Sequence, residues 1–248
     1  MKTAMIFAAG LGTRLKPLTD NMPKALVPVC GKPLVRIVLD KLVSAGYDDI
    51  VVNVHHFASM ITDYLSSCSY SGVRIRVSDE TDLLRETGGG IRHARSLLEN
   101  SGHFLIHNVD IISNLDLSSI GKCIPEGALA ALVVSERETS RYLLFDDGMR
   151  LAGWTNISTG EVKSPYGRID PDKYHKYAFS GIHSMSSDVF KVFDDEGFGE
   201  RFPIMDFYLK VADRYPIYAI KPQNLRLIDV GKLNSLDKAE ELFLSFGH

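Results

Sequence analysis

The sequence predicts an α/β protein: a doubly wound, mostly parallel central sheet with helices on both faces, and a small β-hairpin and loop insertion in its second half. Three observations predict it. The apolar run Ala4-Met5-Ile6-Phe7-Ala8 stops at the glycine-rich turn Gly10-Leu11-Gly12, as a buried parallel strand does when it enters a loop. Strand and helix periods alternate through the first half of the chain. The segment Phe104 to Asp110 reads as a further central strand with a carboxylate at its C-terminal end, the edge at which open α/β sheets bind ligands.

Each element follows from local pattern. Pro33 opens a helix, where its missing N–H does no harm. Val35, Val38, Leu39 and Leu42 continue it at helical spacing, and Gly46 closes it. Ile50 to Val54 is the second strand. Phe57, Met60, Ile61, Tyr64 and Leu65 mark the second helix. Val73 to Val77 alternates in polarity and predicts a half-exposed strand. Ile91, Ala94, Leu97 and Leu98 mark a helix entered through Gly88-Gly89-Gly90.

The pattern changes after about residue 140. Tyr142 to Phe145 and Met149 to Trp154 predict a hairpin about the Asp147-Gly148 turn. Residues 155–177 are polar and contain Gly and Pro, which predicts a long, lid-like loop. Ala178 to His183 reads as a strand, 187–194 and 203–213 as helices, Pro216 to Ile220 as a strand and 232–246 as the last helix. No repeat or linker interrupts the chain. The expectation is one domain over 1–248, with halves at 1–115 and 116–248. The alternation is Rossmann-like.

Bulk properties narrow the function. The 248 residues carry 45% hydrophobic and 24% charged side chains, ordinary for a globular protein. A net charge of -3 argues against a nucleic-acid partner held through its phosphates. Cys30, Cys68 and Cys123 are odd in number, far apart and without a C-x-x-C, which predicts reduced thiols rather than disulfides or a zinc site. The first apolar run is too short for a signal-peptide core, and no stretch approaches 18 apolar residues, so a cytoplasmic protein without a membrane partner is expected. His55 and His56 would point to opposite faces of a strand end, which disfavours one shared metal. His107 and His183 lie on expected strands and read as packed or hydrogen-bonded, and Trp154 as packed in the hairpin.

The strongest chemical signal is Ala8-Ala9-Gly10-Leu11-Gly12-Thr13-Arg14, followed after eight residues by Pro23-Lys24. Glycines let backbone N–H groups approach phosphate oxygens closely. Arg14 adds a planar fork and Lys24 a mobile point charge, a pairing suited to a triphosphate. No G-K-[ST] ends the loop, so it is not a P-loop, and it lacks the glycine and acidic positions of a dinucleotide fingerprint.

The segment Phe7 to Thr19, with Pro23 to Val29 and Gly31-Lys32-Pro33-Leu34, resembles the opening of the sugar-phosphate nucleotidyltransferases. Glu86-Thr87-Gly88-Gly89-Gly90-Ile91 resembles that family's base and ribose segment. Asn108-Val109-Asp110 is similar to its strand-end acidic motif, with valine where glycine is usual. Phe179-Ser180-Gly181-Ile182 resembles its sugar-binding strand, and Asp229-Val230-Gly231 its late motif, with Lys232 where threonine is usual. Together the matches span residues 4 to 240.

The resemblance implies a Mg²⁺-dependent enzyme that joins a nucleoside triphosphate to a sugar 1-phosphate and releases pyrophosphate. It implies catalytic roles for Arg14, Lys24 and Asp110, and nucleotide contacts at Ala8, Ala9, Gly10, Gly12, Thr13, Arg14, Lys24, Glu86, Thr87, Gly88 and Asn108. Sugar-phosphate contacts fall on Gly181, Asp229 and Lys163, although Glu161-Val162-Lys163-Ser164-Pro165 departs from the usual Glu-Lys-Pro. Asp110 and Asp229 would hold the metal; by themselves they read equally as a turn cap and a solvated loop residue.

Within the family the compact chain most resembles the N-acetylmuramate α-1-phosphate uridylyltransferases. The mannose-1-phosphate guanylyltransferases are a neighbouring alternative, and the phosphocholine cytidylyltransferases share the opening motif. A nucleotide-sugar-binding module without turnover is the alternative of a different class. Base, sugar and the choice between monomer and homodimer stay open.

Overall fold

A computed structural model describes residues 1–246. The chain runs β1 (Thr3–Phe7), β2 (Pro28–Val29), β3 (Lys32–Pro33), α1 (Leu34–Ser44), β4 (Asp49–Val54), α2 (Ala58–Ser67), β5 (Arg74–Asp79), α3 (Glu86–His93), α4 (Arg95–Leu98) and β6 (His103–Asn108). It continues through β7 (Ile111–Ser113), α5 (Leu117–Ile120), β8 (Ala130–Ser135), β9 (Arg141–Phe145), β10 (Leu151–Asn156), β11 (Glu161–Lys163) and β12 (His175–Ser186). It ends with α6 (Val189–Asp195), α7 (Ile204–Val211), β13 (Ile217–Ile220), β14 (Leu227–Asp229) and α8 (Leu236–Leu244).

β1 is parallel to β4 on one side and to β6 on the other, and β4 is parallel to β5. The chain order therefore reverses at β1, which opens a crevice beyond the carboxyl ends of β1 and β6. On the far side β12 runs antiparallel to β6, β8 antiparallel to β12, and β13 parallel to β8. β6, β8 and β13 thus point the same way, and their carboxyl ends share one edge of the sheet with β1 and β4. The N-terminal stretch of β12 leaves this sheet to pair with β9, and β10 and β11 extend the branch.

Side chains alternate across the sheet as its pleat requires. Ala4, Ile6, Ile50, Val52 and Leu105 pack with Leu39, Leu42, Ile61 and Phe243 from α1, α2 and α8. Met5, Val51 and Ile106 pack on the opposite face with Ile91, Leu98, Phe193 and Phe207 from α3, α4, α6 and α7. The doubly wound α/β architecture is therefore present, with a mixed, mostly parallel central sheet.

β7, α5 and β14 form where no element is expected, and Asp229, read as a loop residue, ends β14. Three further segments differ from the sequence expectation. Ala130 to Ser135, where no strand is expected, forms β8, buried throughout. Both its faces are covered, so it carries no alternation to signal a strand. Residues 155–177 are not a long loop. β10 extends to Asn156, Glu161–Lys163 pairs back on it, Pro171–Lys173 makes a 3-10 turn, and β12 begins at His175. Polar side chains tie this segment down: Thr155 Oγ1 donates to Glu161 O at 3.2 Å, Ser164 Oγ to Ala152 O at 2.7 Å and the Tyr166 hydroxyl to Ala212 O at 3.0 Å.

The third difference is Gly88-Gly89-Gly90, which lies inside α3 rather than before it. Glycine is a poor helix former, so a packing reason is expected. A Cβ at Gly88 would stand 2.2 Å from the Phe202 ring, and one at Gly89 2.2 Å from Glu200 O. The helix is bare so that the chain before α7 can cross it closely. Both amides donate to Phe202 O, at 2.9 and 3.1 Å. Gly89→Ala should therefore destabilise the fold by about 1–3 kcal/mol, read as a lower urea midpoint; an unchanged midpoint would show that this crossing is not tight.

Candidate active site

The switch-point crevice is a cavity of about 430 Å³ whose lining includes Ala8, Gly10, Lys24, Asn108 and Asp110, with Glu86 and Thr87 on the opposite side. The glycine loop is shaped at Gly12, in the left-handed region at φ +65°. A Cβ there would stand 3.0 Å from both Lys24 Cβ and Thr19 Cγ2. Gly12 O accepts from Thr19 Oγ1 at 2.8 Å and from Leu15 N at 2.9 Å, which folds the loop back. Among the described residues the amides of Gly10, Leu11 and Gly12 donate to no other backbone group.

Ala8 and Ala9 behave differently. Both amides donate to Asn53 Oδ1, at 2.7 and 3.4 Å, so a side chain from β4 already takes them. Asn53 Nδ2 in turn donates to Glu80 Oε1 at 2.8 Å. Glu80 is fully buried, and burial pushes its carboxyl above the usual range. This Asn53–Glu80 support is absent from the sequence reading. The available signal was a single amide in an otherwise apolar strand, Ile50-Val51-Val52-Asn53-Val54.

The opposite wall starts with Glu86, which sits at φ +60° and accepts from Arg201 Nε at 3.1 Å. Thr87 Oγ1 accepts from Ile204 N at 2.8 Å, tying the wall to α7. Gly88 lies beneath the wall against Phe202 and does not line the cavity. Leu84 and Pro203 line it without having been foreseen.

Two carboxylates meet at the crevice mouth. β14 pairs antiparallel with β7, setting Asp229 opposite Ile111, and Val230 N donates to Asp110 O at 2.8 Å. This brings Asp229 beside Asp110, 119 residues earlier in number. Lys24 Nζ pairs with Asp110, and the Arg14 guanidinium stands over Gly231, where a Cβ would be 3.0 Å from its Nη2. Burial, then the negative charge of Asp110, push the Asp229 carboxyl above the usual range; Lys24 and Arg14 oppose this without cancelling it. Asp229 Oδ1 is buried and has no hydrogen-bond partner.

An orphaned carboxylate oxygen beside a second carboxylate fits a hard divalent cation. Mg²⁺ needs only one or two protein carboxylates when substrate phosphates complete its shell. Among the described residues no group of three or more His, Cys, Asp or Glu converges anywhere, which fits a two-carboxylate site and argues against an all-protein cage.

Gly181 is also at the mouth. Its φ is +72°, and a Cβ there would stand 2.9 Å from both Asn108 Nδ2 and Ile111 Cγ1. The bulge it makes in β12 lets the Asn108 side chain lie across the strand. Thr13 is exposed in the turn beside Arg14. Lys163 is not brought into the cluster: it lies 5.4 Å over the Trp154 ring and 3.4 Å from Glu161. His107 and His183 are packed in the interior. Burial pushes His107 down to about 4 and His183 to about 3, and His183 Nδ1 lies 2.7 Å from the Tyr208 hydroxyl.

Fold and site together define a doubly wound α/β protein with a carboxylate pair beside a glycine loop at the switch point of its sheet. The nucleotidyl transferase family matches residues 3–244, and the chain belongs to it. It is 49% identical over 113 residues to an N-acetylmuramate alpha-1-phosphate uridylyltransferase of Caulobacter vibrioides, a match covering 45% of this chain and 46% of that protein. It is 42% identical over 116 residues to the protein of the same description from Neisseria meningitidis serogroup B, covering 47% and 50%. These matches span about half the length of those relatives. The crystal structure of HddC from Yersinia pseudotuberculosis shares the fold, with a TM-score of 0.76 at 21% identity over 98% of this chain and 100% of that one.

A carboxyl whose folded-state pKa lies above its unfolded value makes the fold less stable as pH rises through that interval. In metal-free buffer near pH 7, Asp229→Asn should therefore raise the thermal unfolding midpoint. A midpoint at or below that of the unsubstituted protein would contradict the strain assigned to this carboxylate pair.

Proposed function

We propose that the chain transfers a nucleoside monophosphate from a nucleoside triphosphate to a sugar 1-phosphate, releasing pyrophosphate, with UTP and N-acetylmuramate α-1-phosphate as substrates. The observation that carries this reading is the convergence of Lys24, Arg14, Asp110 and Asp229 at the mouth of the crevice. The similarity to the two uridylyltransferases supports the choice of base and sugar. Residues 1–115 would hold the triphosphate and 116–248 the sugar phosphate, within one nucleotidyltransferase domain. A reaction that consumes a nucleoside triphosphate suits a cytoplasmic enzyme; among the described residues no helix is long and apolar enough to cross a membrane.

The chain's own groups perform most of what the reaction needs. The unengaged amides of Gly10 to Gly12 and the Arg14 guanidinium receive phosphate oxygens, while Glu86, Thr87 and Asn108 border the base and ribose. Lys24 balances Asp110 in the ligand-free protein and is the nearest mobile cation for the triphosphate. Gly181 and Asp229 face the acceptor side, and the contact of Lys163 with the sugar phosphate belongs to the same reading. Magnesium on Asp110 and Asp229 would neutralise charge at the α-phosphate. The acceptor's phosphate oxygen attacks that phosphorus as pyrophosphate leaves in line, so no protein nucleophile is required.

Pyrophosphate release should require Mg²⁺ and be fastest with UTP and N-acetylmuramate α-1-phosphate. No release with any pairing of UTP, GTP, CTP or dTTP with a panel of sugar 1-phosphates would overturn the enzyme reading in favour of a binding module. Asp110→Asn should lower kcat by roughly 10²- to 10³-fold without loss of the folded far-ultraviolet spectrum. Lys24→Ala should weaken UTP binding about 10- to 100-fold by calorimetry; an unchanged Kd would remove Lys24 from the phosphate site.

A further inference from the structure

The crevice is not the only cavity on the carboxyl edge of the sheet. A second one, of about 560 Å³, lies beyond β12, at the ends of β8 and β13, and is lined by Ser135, Glu136, Arg137, Lys221 and Leu227 among others. The strand order along this edge is β4, β1, β6, β12, β8, β13. Asp110, just after β6, lines the first cavity, and Leu227, which lines the second, begins β14, whose last residue is Asp229. One cavity is bordered by the glycine loop. In the proposed reaction the other would lie on the acceptor side.

The charges in this second cavity are not all matched. Lys221 is committed: it pairs with Glu136 and lies 4.9 Å over the Tyr177 ring. Arg137 is not. Its Nη2 donates to Phe179 O at 3.3 Å, two residues before Gly181, and among the described residues no carboxylate pairs with its guanidinium. Arg137 is exposed, and Ser135, which lines the same cavity, has its Oγ buried without a hydrogen-bond partner, as has Ser180 on β12. An unpaired buried hydroxyl and an uncommitted guanidinium lining one cavity are donors that an anionic oxygen ligand can take up. A planar guanidinium matches a carboxylate with two parallel N–H donors, which an uncharged hydroxyl cannot do.

We propose that Arg137 determines acceptor specificity by holding a carboxylate substituent on the sugar of the incoming sugar 1-phosphate. The inference rests on the reading of the chain as a nucleotidyltransferase acting on a carboxylated sugar 1-phosphate and adds to it the residue that recognises the carboxylate. Anchored to the Phe179 carbonyl, Arg137 acts on binding and orientation of the sugar and takes no part in the displacement at phosphorus. An acceptor lacking the carboxylate leaves the guanidinium solvated and gains nothing from it.

The test is steady-state pyrophosphate release at saturating UTP and Mg²⁺ with two acceptors. They are N-acetylmuramate α-1-phosphate and N-acetylglucosamine α-1-phosphate, which lacks the carboxylate-bearing ether. The unsubstituted protein should favour the carboxylated acceptor at least about tenfold in kcat/KM. Arg137→Gln should raise KM for that acceptor roughly 10- to 100-fold, with kcat and the KM of the other acceptor unchanged within about twofold. Arg137→Lys should recover part of the loss, since charge returns without the fork. Equal preference for the two acceptors, or KM values that move together or not at all in Arg137→Gln, would overturn the inference while leaving the nucleotidyltransferase reading in place. Absence of turnover with either acceptor would overturn both.

Discussion

Asp110 and Asp229 are held side by side by the backbone, and the rest of the site is arranged around that contact. The antiparallel pairing of β7 with β14 and the hydrogen bond from Val230 N to Asp110 O set the two residues next to each other. Two negative groups in a half-buried place repel each other and lose solvation. The result is a carboxyl at Asp229 that resists ionisation and an oxygen with no donor. Lys24 and Arg14 offset part of this charge. In the proposed site a divalent cation and its phosphates would relieve this repulsion.

The surroundings keep that contact in place. β1 and β6 are adjacent and parallel, so the loop carrying Lys24 and the turn carrying Asp110 leave the sheet at the same edge. Glycine at 12, 181 and 231 removes side chains where Lys24, Asn108 and Arg14 must pass. The Asn53–Glu80 pair fixes the start of the glycine loop from below. The bare helix face of α3 admits the chain before α7, which in turn holds Thr87 and the far wall of the crevice. Loss of any of these supports would act on the site through geometry rather than through charge.

The same sheet edge also gives the protein an order of places. The crevice bordered by the glycine loop lies over β4, β1 and β6, and the second cavity lies over β8 and β13 beyond the bulge at Gly181. Asp110 lines the first cavity, and Asp229 ends the strand whose first residue, Leu227, lines the second, so the proposed displacement would fall between the two. A partly antiparallel sheet makes this possible. Because β12 runs opposite to both neighbours, β6 and β8 point the same way, and their carboxyl ends open on one surface.

Much of this was legible in the sequence. The strands at Ala4, Ile50, Phe104 and Ala178, the first two helices and the hairpin at Asp147-Gly148 all rest on local periods and turn residues, which short-range sterics and burial enforce wherever the chain goes. The motif spacing from Gly10 to Lys24, and the resemblance it carried, identified Arg14, Asp110 and Asp229 as residues to watch. The strand Ala130–Ser135 was not legible, because burial on both faces erases alternation. Nor was the ordering of residues 155–177, which depends on bonds to Ala152 and Ala212. The roles of Asn53 and Glu80, the reason for three consecutive helical glycines and the meeting of Asp110 with Asp229 were decided only by tertiary structure. Each is a contact between residues distant in the chain, and no local pattern encodes which of them will meet.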